Sequence, residues 1–465
     1  MPFSRATLSL PASFRDPAGF LFYRDAQLLR QINAVYQKDY DLFIQSGLYE
    51  HLTTAGQLVV HEEVNLDQAA TGEAYKVLKP DIVDFVSYPY EWCFSQLKDA
   101  ALLTLKLQRE ALSRGMCLKD ASAYNIQFLK GRPVFIDTLS FQRYREGEPW
   151  VAYRQFCQHF LAPLVLMSYR DFRLNQLLRV YLDGIPLDLT RALLPRRTLL
   201  RFSLLIHIHL HARIQEHFLN RRTNLKDHQV SRRNLLGLLD NLESAVAKTR
   251  WPSPRTEWSN YDAATLYGQE SYQHKLQLVA EFADRVTPRP RMLWDLGANT
   301  GTYSWVASER GIPTIAFDAD AACVEYLYGV CVKKNETHLL PLVLDLTNPS
   351  PGLGWENQER MAWSDRGPAD ATIALALVHH LAISNNLPLT RIAEFFHTVS
   401  HSLLIEFVPK SDKQVELLLS RRMDTFPDYT RRNFEEAFNR HFVIGRVDPI
   451  RNTDRVLYWM QRRSG

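Results

Sequence analysis

The sequence lacks the cysteine patterns that define disulfide scaffolds and zinc modules. Its five cysteines are odd in number, and no two of them form a C-x-x-C pair; they are Cys93, Cys117, Cys157, Cys323 and Cys331. Disulfide frameworks use even sets of cysteines, and structural zinc sites use closely spaced pairs. We therefore expect free thiols and a reducing, cytoplasmic location.

Long apolar runs are also missing. The longest, FLAPLVLM at 160–167, is far shorter than the roughly 20 residues that a membrane-spanning helix requires. The opening stretch MPFSRATLSLPASFRDPAG contains no apolar core of a signal peptide. We expect neither a membrane span nor signal-driven export.

The overall charge imbalance is small, because the sequence has 55 lysines and arginines and 51 acidic residues. A net charge of +4 does not by itself imply binding to nucleic acid or to a membrane, and a nucleic-acid partner is not expected. One region is different: 191–233 holds ten basic residues and only two acidic ones, Glu216 and Asp227. A solvated pair of helices that joins two domains explains this region most simply, and binding to an anionic partner is the alternative.

A chain of 465 residues exceeds what one hydrophobic core usually spans, so we expect two or three domains. The segment WPSPRTEWSN at 251–260 supplies a proline-marked break. We predict an N-terminal domain at 1–185, a basic helical connector at 186–250 and a C-terminal domain at 251–465.

After the break, strand patterns and helix patterns alternate. RMLWDLG, TIAFDAD, LLPLVLDL, ATIALALVHHLA and HSLLIEFV have the apolar character of buried strands, and QESYQHKLQLVAEFADRV and AACVEYLYGVCVKK have helical spacing. This alternation predicts a parallel sheet covered by helices on both faces. In such a sheet, ligands bind beyond the carboxyl ends of the strands.

The stretch LWDLGANTGTYS at 293–304 is the first candidate for a ligand loop. Gly297 and Gly301 would let the backbone turn sharply out of the strand and approach a ligand. Asp318 ends the next strand, 23 residues after Asp295, where the acid that holds a ribose falls in dinucleotide-type folds. Asp345 ends the third strand. Helix capping explains any one of these acids more easily than all three.

With these residues, the region from about 255 to the end resembles the class I S-adenosylmethionine-dependent methyltransferases. The resemblance implies a Rossmann-like seven-stranded sheet, closed by an antiparallel hairpin of FVIGRV and RVLYWMQRR. It also implies that the loop surrounds the methionine part of the cofactor, that Asp318 binds the ribose and that Asp345 lies beside the adenine. The loop residues concerned are Asp295, Gly297, Asn299 and Gly301. Many members have glycine where this chain has Asn299. A dehydrogenase would instead prefer G-x-G-x-x-G, a spacing that GANTGT lacks.

The same resemblance places His379 and His380 near the point of methyl transfer. A histidine whose pKa is near neutrality could remove the proton of an acceptor hydroxyl, and a structural role is the alternative for each.

Glu406 is either a pocket carboxylate or a surface acid. A segment before the first strand could cover the cofactor or simply pack on the sheet; it contains Trp258, Tyr261, Tyr267, Tyr272 and Lys275.

The N-terminal half carries a second motif, LKDASAYNIQFLKGRPVFIDTLSF at 118–141. Asp120 and Asn125 are five residues apart, and Asp137 follows an apolar strand. This resembles protein kinases and aminoglycoside-phosphotransferase-like enzymes, in which such an Asp orients the acceptor while the Asn and the second Asp hold magnesium. ATP and Mg²⁺ are thus candidate ligands.

The surrounding segments fit this resemblance in part. ALLTLKLQREALSRG predicts a helix, AGFLFYRDAQLLRQI a hairpin, YQKDYDLFIQSGLYEHL one helix, and FVSYPYEWCF a strand and hinge. The departures are LKD in place of H-R-D, DTL in place of D-F-G, and the lack of a glycine-rich loop or a V-A-I-K lysine. Arg30 could reach a phosphate, or be a solvated strand residue. Turn and capping chemistry on an unrelated fold is the alternative for Asp120, Asn125 and Asp137.

The run HIHLH offers His207, His209 and His211. On a strand the three would share one face and could bind a metal, but the flanking residues predict a long helix, which would scatter them.

These patterns together predict methyl transfer to a hydroxyl or amine of a small-molecule or saccharide-type substrate. A resemblance to nodulation-associated bacterial methyltransferases that modify secreted glycans implies the saccharide. The alternatives are a bifunctional or phosphotransfer enzyme, and a non-catalytic regulator that senses the cofactor. The sequence does not indicate an oligomeric state.

Overall fold

A computed structural model describes residues 8–212, 230–252, 268–420 and 425–463. Its contacts divide the chain into two compact units. Unit 1 comprises Met1–Pro252 and Gly352–Met361, and unit 2 comprises Ser253–Pro351 and Ala362–Gly465. The described residues of the expected connector belong to unit 1, and the three-part division of the chain stays a prediction.

Unit 1 begins with an antiparallel sheet of order β1-β2-β3-β5-β4. The strands are β1 (Leu8–Ser9), β2 (Gly19–Arg24), β3 (Gln27–Asn33), β4 (His61–Val64) and β5 (Ala74–Pro80). β2 and β3 form the expected hairpin. Their two linking residues, Asp25 and Ala26, have φ of +50° and +63°, as a type I′ turn requires.

Two of the helix and strand predictions for unit 1 are wrong in detail. The single helix expected after β3 is divided into α1 (Gln37–Gln45) and α2 (Leu48–Thr54), because Gly47 adopts φ of +70°. The strand expected before the long helix is absent: Pro89–Glu91 forms a 3-10 turn, closed by the Tyr88 N–H, which donates to the Glu91 carboxylate over 2.9 Å.

The long helix α3 (Phe94–Ser113) leads into two strand pairs, β6 with β9 and β7 with β8. These strands are β6 (Met116–Leu118), β7 (Ile126–Leu129), β8 (Arg132–Phe135) and β9 (Phe141–Arg143). The later helices of unit 1 are α4 (Tyr153–Phe156), α5 (Ala162–Tyr169), α6 (Leu177–Val180), α7 (Leu187–Leu193), α8 (Phe202–Leu204) and α9 (Arg232–Ala247). In α9, the Ser231 side chain caps the helix by accepting from the Asn234 N–H.

Unit 2 is built on the expected seven-stranded sheet, of order β12-β11-β10-β13-β14-β16-β15. The strands are β10 (Leu293–Leu296), β11 (Thr314–Asp318), β12 (Leu339–Val343), β13 (Ala369–Ala374), β14 (Ser400–Phe407), β15 (Phe442–Pro449) and β16 (Val456–Arg462). Strands β10–β14 are parallel to one another, and β15 and β16 form the closing hairpin, in which β16 pairs antiparallel with both β14 and β15. The mixed α/β class predicted for this half is confirmed.

Helices alternate with the parallel strands. They are α10 (Gln269–Arg285), α11 (Thr302–Ser308), α12 (Ala321–Lys334), α13 (Leu389–Val399), α14 (Lys413–Ser420) and α15 (Arg431–Asn439). Every residue of β10 is buried, which explains why this strand is a continuous apolar run interrupted only by Asp295. Leu293, Ile373 and Leu404, from three adjacent strands, pack in one core with Phe282 of α10.

The chain reverses its direction of strand addition at β10. β11 and β12 are added on one side of β10, and the chain then returns to place β13 on the other side. Open α/β sheets bind ligands at this kind of switch point, beyond the carboxyl ends of the strands. The described residues include no helix that is both long and apolar enough to cross a membrane.

Candidate functional site

The turn after β10 adopts a backbone conformation that few residues tolerate. Gly297, Asn299 and Gly301 have φ of +80°, +51° and +81°. A Cβ added at Gly301 would lie 2.6 Å from the side chain of Leu327, so this glycine is also required by close packing. Among residues with a side chain, asparagine enters this region most readily. Asn299 therefore supplies the conformation that a glycine would supply in the same place.

Asp318 connects this turn to the neighbouring strand. One oxygen of its carboxylate accepts from the Asn299 N–H over 2.7 Å, and the other accepts from the Asp320 N–H over 2.8 Å. Burial raises the pKa of Asp318 to about 6, against the lowering effect of these two hydrogen bonds. Each oxygen retains a lone pair for a further donor.

Asp295 lies deeper, in the strand itself, and is 2% exposed. Its carboxylate accepts from the Ser304 hydroxyl of α11 over 2.6 Å. Burial raises its pKa to about 7, and the nearby charge of Asp318 adds to that effect. Asp295 therefore joins the turn to the helix that follows it.

Asp345 differs from the other two acids. It lies two residues beyond β12, is exposed, and accepts from both the N–H and the hydroxyl of Thr347. Its contacts are those of a residue that closes its own turn.

A fully buried carboxylate, Glu406, lies at the end of β14. It accepts from Lys275 Nζ of α10 over 2.6 Å and from the Ala376 N–H, in the loop after β13, over 2.7 Å. Arg455 donates to its other oxygen over 3.3 Å and forms a two-pronged ion pair with Asp412. Burial acts to raise the pKa of Glu406, but the positive charges of Lys275 and Arg455 outweigh it and leave the pKa lowered. Of the two roles considered for this acid, the surface role is wrong.

His379 and His380 lie next to this cluster, and their rings are 4.2 Å apart. His379 is 1% exposed, and its Nδ1 has no hydrogen-bond partner among the described residues. Burial lowers its pKa well below the usual value, as do the charges of His380, Arg455 and Lys275. Burial lowers the pKa of His380 to about 4, and the positive charge of Arg455 contributes to this shift. The pKa of each ring thus lies below the near-neutral range that suits a general base, and both rings are uncharged at pH 7.

Lys275 and Arg455 are the members of this cluster whose roles the sequence did not reveal. Lys275 shares its helix face with Leu278, Val279 and Phe282, at spacings of three, four and seven residues. A lysine on the buried face of a helix needs an acidic partner, so this spacing could have revealed that Lys275 pairs with a buried acid. Tyr272 begins the same helix, whereas Trp258, Tyr261 and Tyr267 lie outside the described residues.

In unit 1, the residues of the second motif come together. Asp120 accepts from the Ser122 N–H and from Gln155, and Asn125 donates to Ser140 over 3.3 Å. Ser140 in turn donates to Asp137. The pKa of Asp120 is raised by burial and by the charge of Asp137.

Arg30 of β3 completes this group. It is 9% exposed and forms an ion pair with Asp137, so the solvated role considered for it is wrong. Asp137 also accepts from the Leu139 N–H over 3.3 Å. One oxygen of Asp137 thus receives Arg30 and the Leu139 N–H, and the other receives Ser140. The positive charge of Arg30 beside this carboxylate opposes the binding of a magnesium ion, which favours anionic oxygen ligands.

The histidines of HIHLH have partners within unit 1. His207 bonds the Tyr153 hydroxyl at 2.7 Å and Asn241 at 2.9 Å, His209 bonds Thr198, and His211 stacks on Tyr153. No cluster of three or more His, Cys, Asp or Glu able to hold a metal occurs among the described residues.

Comparison with known proteins shows the family of the chain. It is 35% identical to nodulation protein NoeA of Rhizobium meliloti (strain 1021) over an alignment of 464 positions, which covers 97% of this chain and 95% of the relative. The chain belongs to the family of nodulation protein NoeA. No family model matches it.

Solved structures give only distant likenesses. The bifunctional kinase-methyltransferase WbdD matches with a TM-score of 0.28 and 13% identity, over 41% of this chain and 39% of that chain. Magnesium protoporphyrin IX methyltransferase (ChlM) from Synechocystis PCC 6803, with bound SAH, matches with a TM-score of 0.30 and 15% identity, over 42% of this chain and 84% of that chain. At these TM-scores, neither match bears on the activity of this chain.

The Glu406 cluster makes a quantitative prediction. Glu406→Gln leaves Lys275 buried without a negative partner, so we expect it to lower the free energy of unfolding by about 3–5 kcal/mol. Glu436→Gln is the control, because it breaks an exposed ion pair with Arg432 and should cost less than about 1 kcal/mol. Urea denaturation measures both changes. Equal effects of the two substitutions would show that Glu406 does not hold the cluster together.

Proposed function

We propose that unit 2 is an S-adenosylmethionine-dependent methyltransferase that acts on a hydroxyl or amine of a small-molecule or saccharide-type substrate. The observation that carries this proposal is the contact between Asp318 and the Asn299 N–H, which joins the two ligand elements expected from the sequence. Both lie beyond the carboxyl ends of adjacent strands at the switch point of the sheet.

The residues at this edge fit the cofactor in chemical terms. The Asp318 carboxylate has a raised pKa and free lone pairs, and two ribose hydroxyls are suitable donors for it. Oδ2 of the neighbouring Asp320 is buried and has no hydrogen-bond partner among the described residues. We assign the ribose to Asp318 and the methionine part to Asp295, Gly297, Asn299 and Gly301. The assignment of Asp345 to the adenine rests on the resemblance alone, since its contacts are local.

When bound, the cofactor supplies an electrophilic methyl group for in-line attack by the acceptor. The chain's own work is to hold the acceptor in line and to receive its proton. His379 is suited to this because it is uncharged and its Nδ1 is not engaged. Its lowered pKa makes it a weak base, but the acceptor atom becomes strongly acidic as its bond to the methyl group forms. The neutral ring therefore first orients the acceptor by accepting its hydrogen bond and then takes its proton late in the transfer. His380 is the second candidate.

The family relationship favours the saccharide-type acceptor. The relative is named as a nodulation protein, and the sequence resembles nodulation-associated methyltransferases that modify secreted glycans. The five free, buried cysteines are in keeping with the cytoplasmic location proposed from the sequence.

A second candidate function belongs to unit 1. The convergence of Asp120, Asn125 and Asp137 favours a kinase-like phosphotransfer domain. The engagement of Asp137 by Arg30 opposes it, since the magnesium ligand is already neutralised. We propose that unit 1 has a kinase-like fold without magnesium-dependent activity.

Binding of the cofactor should depend on pH through Asp318. The ionised carboxylate is the better acceptor for ribose hydroxyls, and its pKa is about 6. Titration of Asp318 should therefore lower the affinity for S-adenosylhomocysteine about tenfold between pH 7 and pH 5. Asp318→Asn should bind about 10- to 100-fold more weakly at pH 8 and lose most of this pH dependence.

Isothermal titration calorimetry of the full-length protein measures these affinities. The exposed Asp188→Asn, a change of the same kind in unit 1, is the control. A parent that fails to bind the cofactor, or Asp318→Asn with parental affinity and pH dependence, would refute the assigned site.

The role of His379 is tested by methyl transfer from labelled S-adenosylmethionine to components of a cell extract. His379→Gln should lower incorporation by about 100-fold or more at unchanged cofactor affinity. The exposed His401→Gln should leave it unchanged. Full incorporation in both His379→Gln and His380→Gln would remove these residues from the reaction. If the parent binds the cofactor but transfers no labelled methyl group, the alternative of a non-catalytic regulator that senses the cofactor would instead be favoured.

For unit 1 we expect no magnesium-dependent binding of ATP, because Arg30 and Ser140 occupy Asp137. Titration of the full-length protein with ATP should give the same heats in magnesium as in EDTA. Magnesium-dependent binding in the parent that disappears in Asp137→Asn would establish the phosphotransfer alternative.

A further inference from the structure

The basic region of unit 1 contains a turn whose role the methyltransferase proposal does not explain. We call it the apolar-basic turn; it consists of Arg196, Arg197, Thr198, Leu199, Leu200, Arg201 and Phe202. Leu200 is 87% exposed, Phe202 is 68% exposed and Leu199 is 41% exposed. Three large apolar side chains so close together on a surface mark an interaction site more often than a chance exposure.

The turn is anchored to the body of unit 1. Thr198 is fully buried, and its hydroxyl donates to the Pro195 carbonyl over 2.7 Å and bonds His209 at 2.9 Å. The Arg201 N–H donates to the Thr198 carbonyl, and Leu204 is buried just beyond. The exposed side chains therefore project from a supported 3-10 turn, Arg196–Leu200, and need no unfolding to reach a partner.

The charged side chains of the turn are all positive. No acidic residue occurs between Asp188 and Glu216 in the sequence, whereas the three arginines of the turn are exposed. None of the ion pairs found among the described residues involves Arg196, Arg197 or Arg201. Arg197 lies 5.9 Å from the ring of Tyr169, which leaves its charge unneutralised. An anionic partner would complement this charge.

We propose that the apolar-basic turn docks unit 1 on an anionic lipid surface. Leu199, Leu200 and Phe202 would enter the boundary between head groups and acyl chains, while the arginines pair with lipid phosphates. A combination of basic and large apolar side chains is what peripheral binding to anionic membranes requires. The absence of a spanning helix among the described residues is compatible with such binding, which needs none.

Two other occupants fit this surface less well. Nucleic acid would pair with the arginines but would leave the leucines in water, since its recognition relies on phosphate contacts, base edges and stacking. A second copy of the chain, related by a two-fold axis, would place this arginine cluster against itself. Lipid satisfies both the charge and the apolar groups.

Cosedimentation of the full-length protein with vesicles tests the proposal. We expect binding to vesicles of phosphatidylcholine mixed with phosphatidylglycerol, little binding to phosphatidylcholine alone, and release by high salt. The triple variant R196Q/R197Q/R201Q should bind about 100-fold more weakly, at about fivefold per arginine. The double variant L200S/F202S should also bind more weakly, at unchanged net charge.

Two control variants carry equal changes elsewhere. R173Q/R391Q/R432Q removes three exposed, acid-paired arginines, and I82S/V151S removes two exposed apolar side chains. Both should bind vesicles like the parent, and the thermal unfolding midpoints of all variants establish that they are folded.

Three outcomes would overturn the proposal. One is a parent that does not bind anionic vesicles. Another is equal binding by the turn variants and their controls. The third is that vesicle binding does not depend on the turn, whereas binding to an RNA oligonucleotide or self-association does.

Discussion

The geometry of unit 2 depends on one buried carboxylate, Glu406. It receives a lysine from α10, an N–H from the loop after β13 and an arginine that precedes β16, and so joins three segments distant in sequence. A charge this deeply buried is tolerated only with such partners. The same contact that stabilises the sheet therefore sets the position of Ala376, three residues before His379.

The candidate site occupies the carboxyl edge that this cluster bounds. On one side, Asp318 holds the turn of Asn299 by a backbone hydrogen bond; on the other, two uncharged histidines lie near Lys275 and Arg455. Burial keeps both histidines unprotonated, and the positive charges that keep Glu406 ionised add to this effect. Electrostatics thus links the stability of the sheet to the chemistry proposed at its edge.

The sequence predicted the sheet well because each parallel strand is buried on both faces and is an apolar run of its own. It also predicted that Asp318 ends a strand and that the chain turns sharply at Gly297 and Gly301, since both follow from local patterns. It did not predict that Lys275 and Arg455 meet Glu406, or that Arg30 pairs with Asp137, because these contacts join residues far apart in the chain. For the same reason the sequence does not reveal the histidine pKa values, because burial and distant charges determine them.

The central claim is that the edge formed by the turn after β10 and the end of β11 holds S-adenosylmethionine. Hydrogen–deuterium exchange of the full-length protein with and without S-adenosylhomocysteine tests it directly. The account predicts slower exchange at 297–301 and 318–320 on addition of the ligand, with little change in β1–β5 of unit 1. Unchanged exchange at both segments under saturating ligand, or protection confined to unit 1, would contradict it.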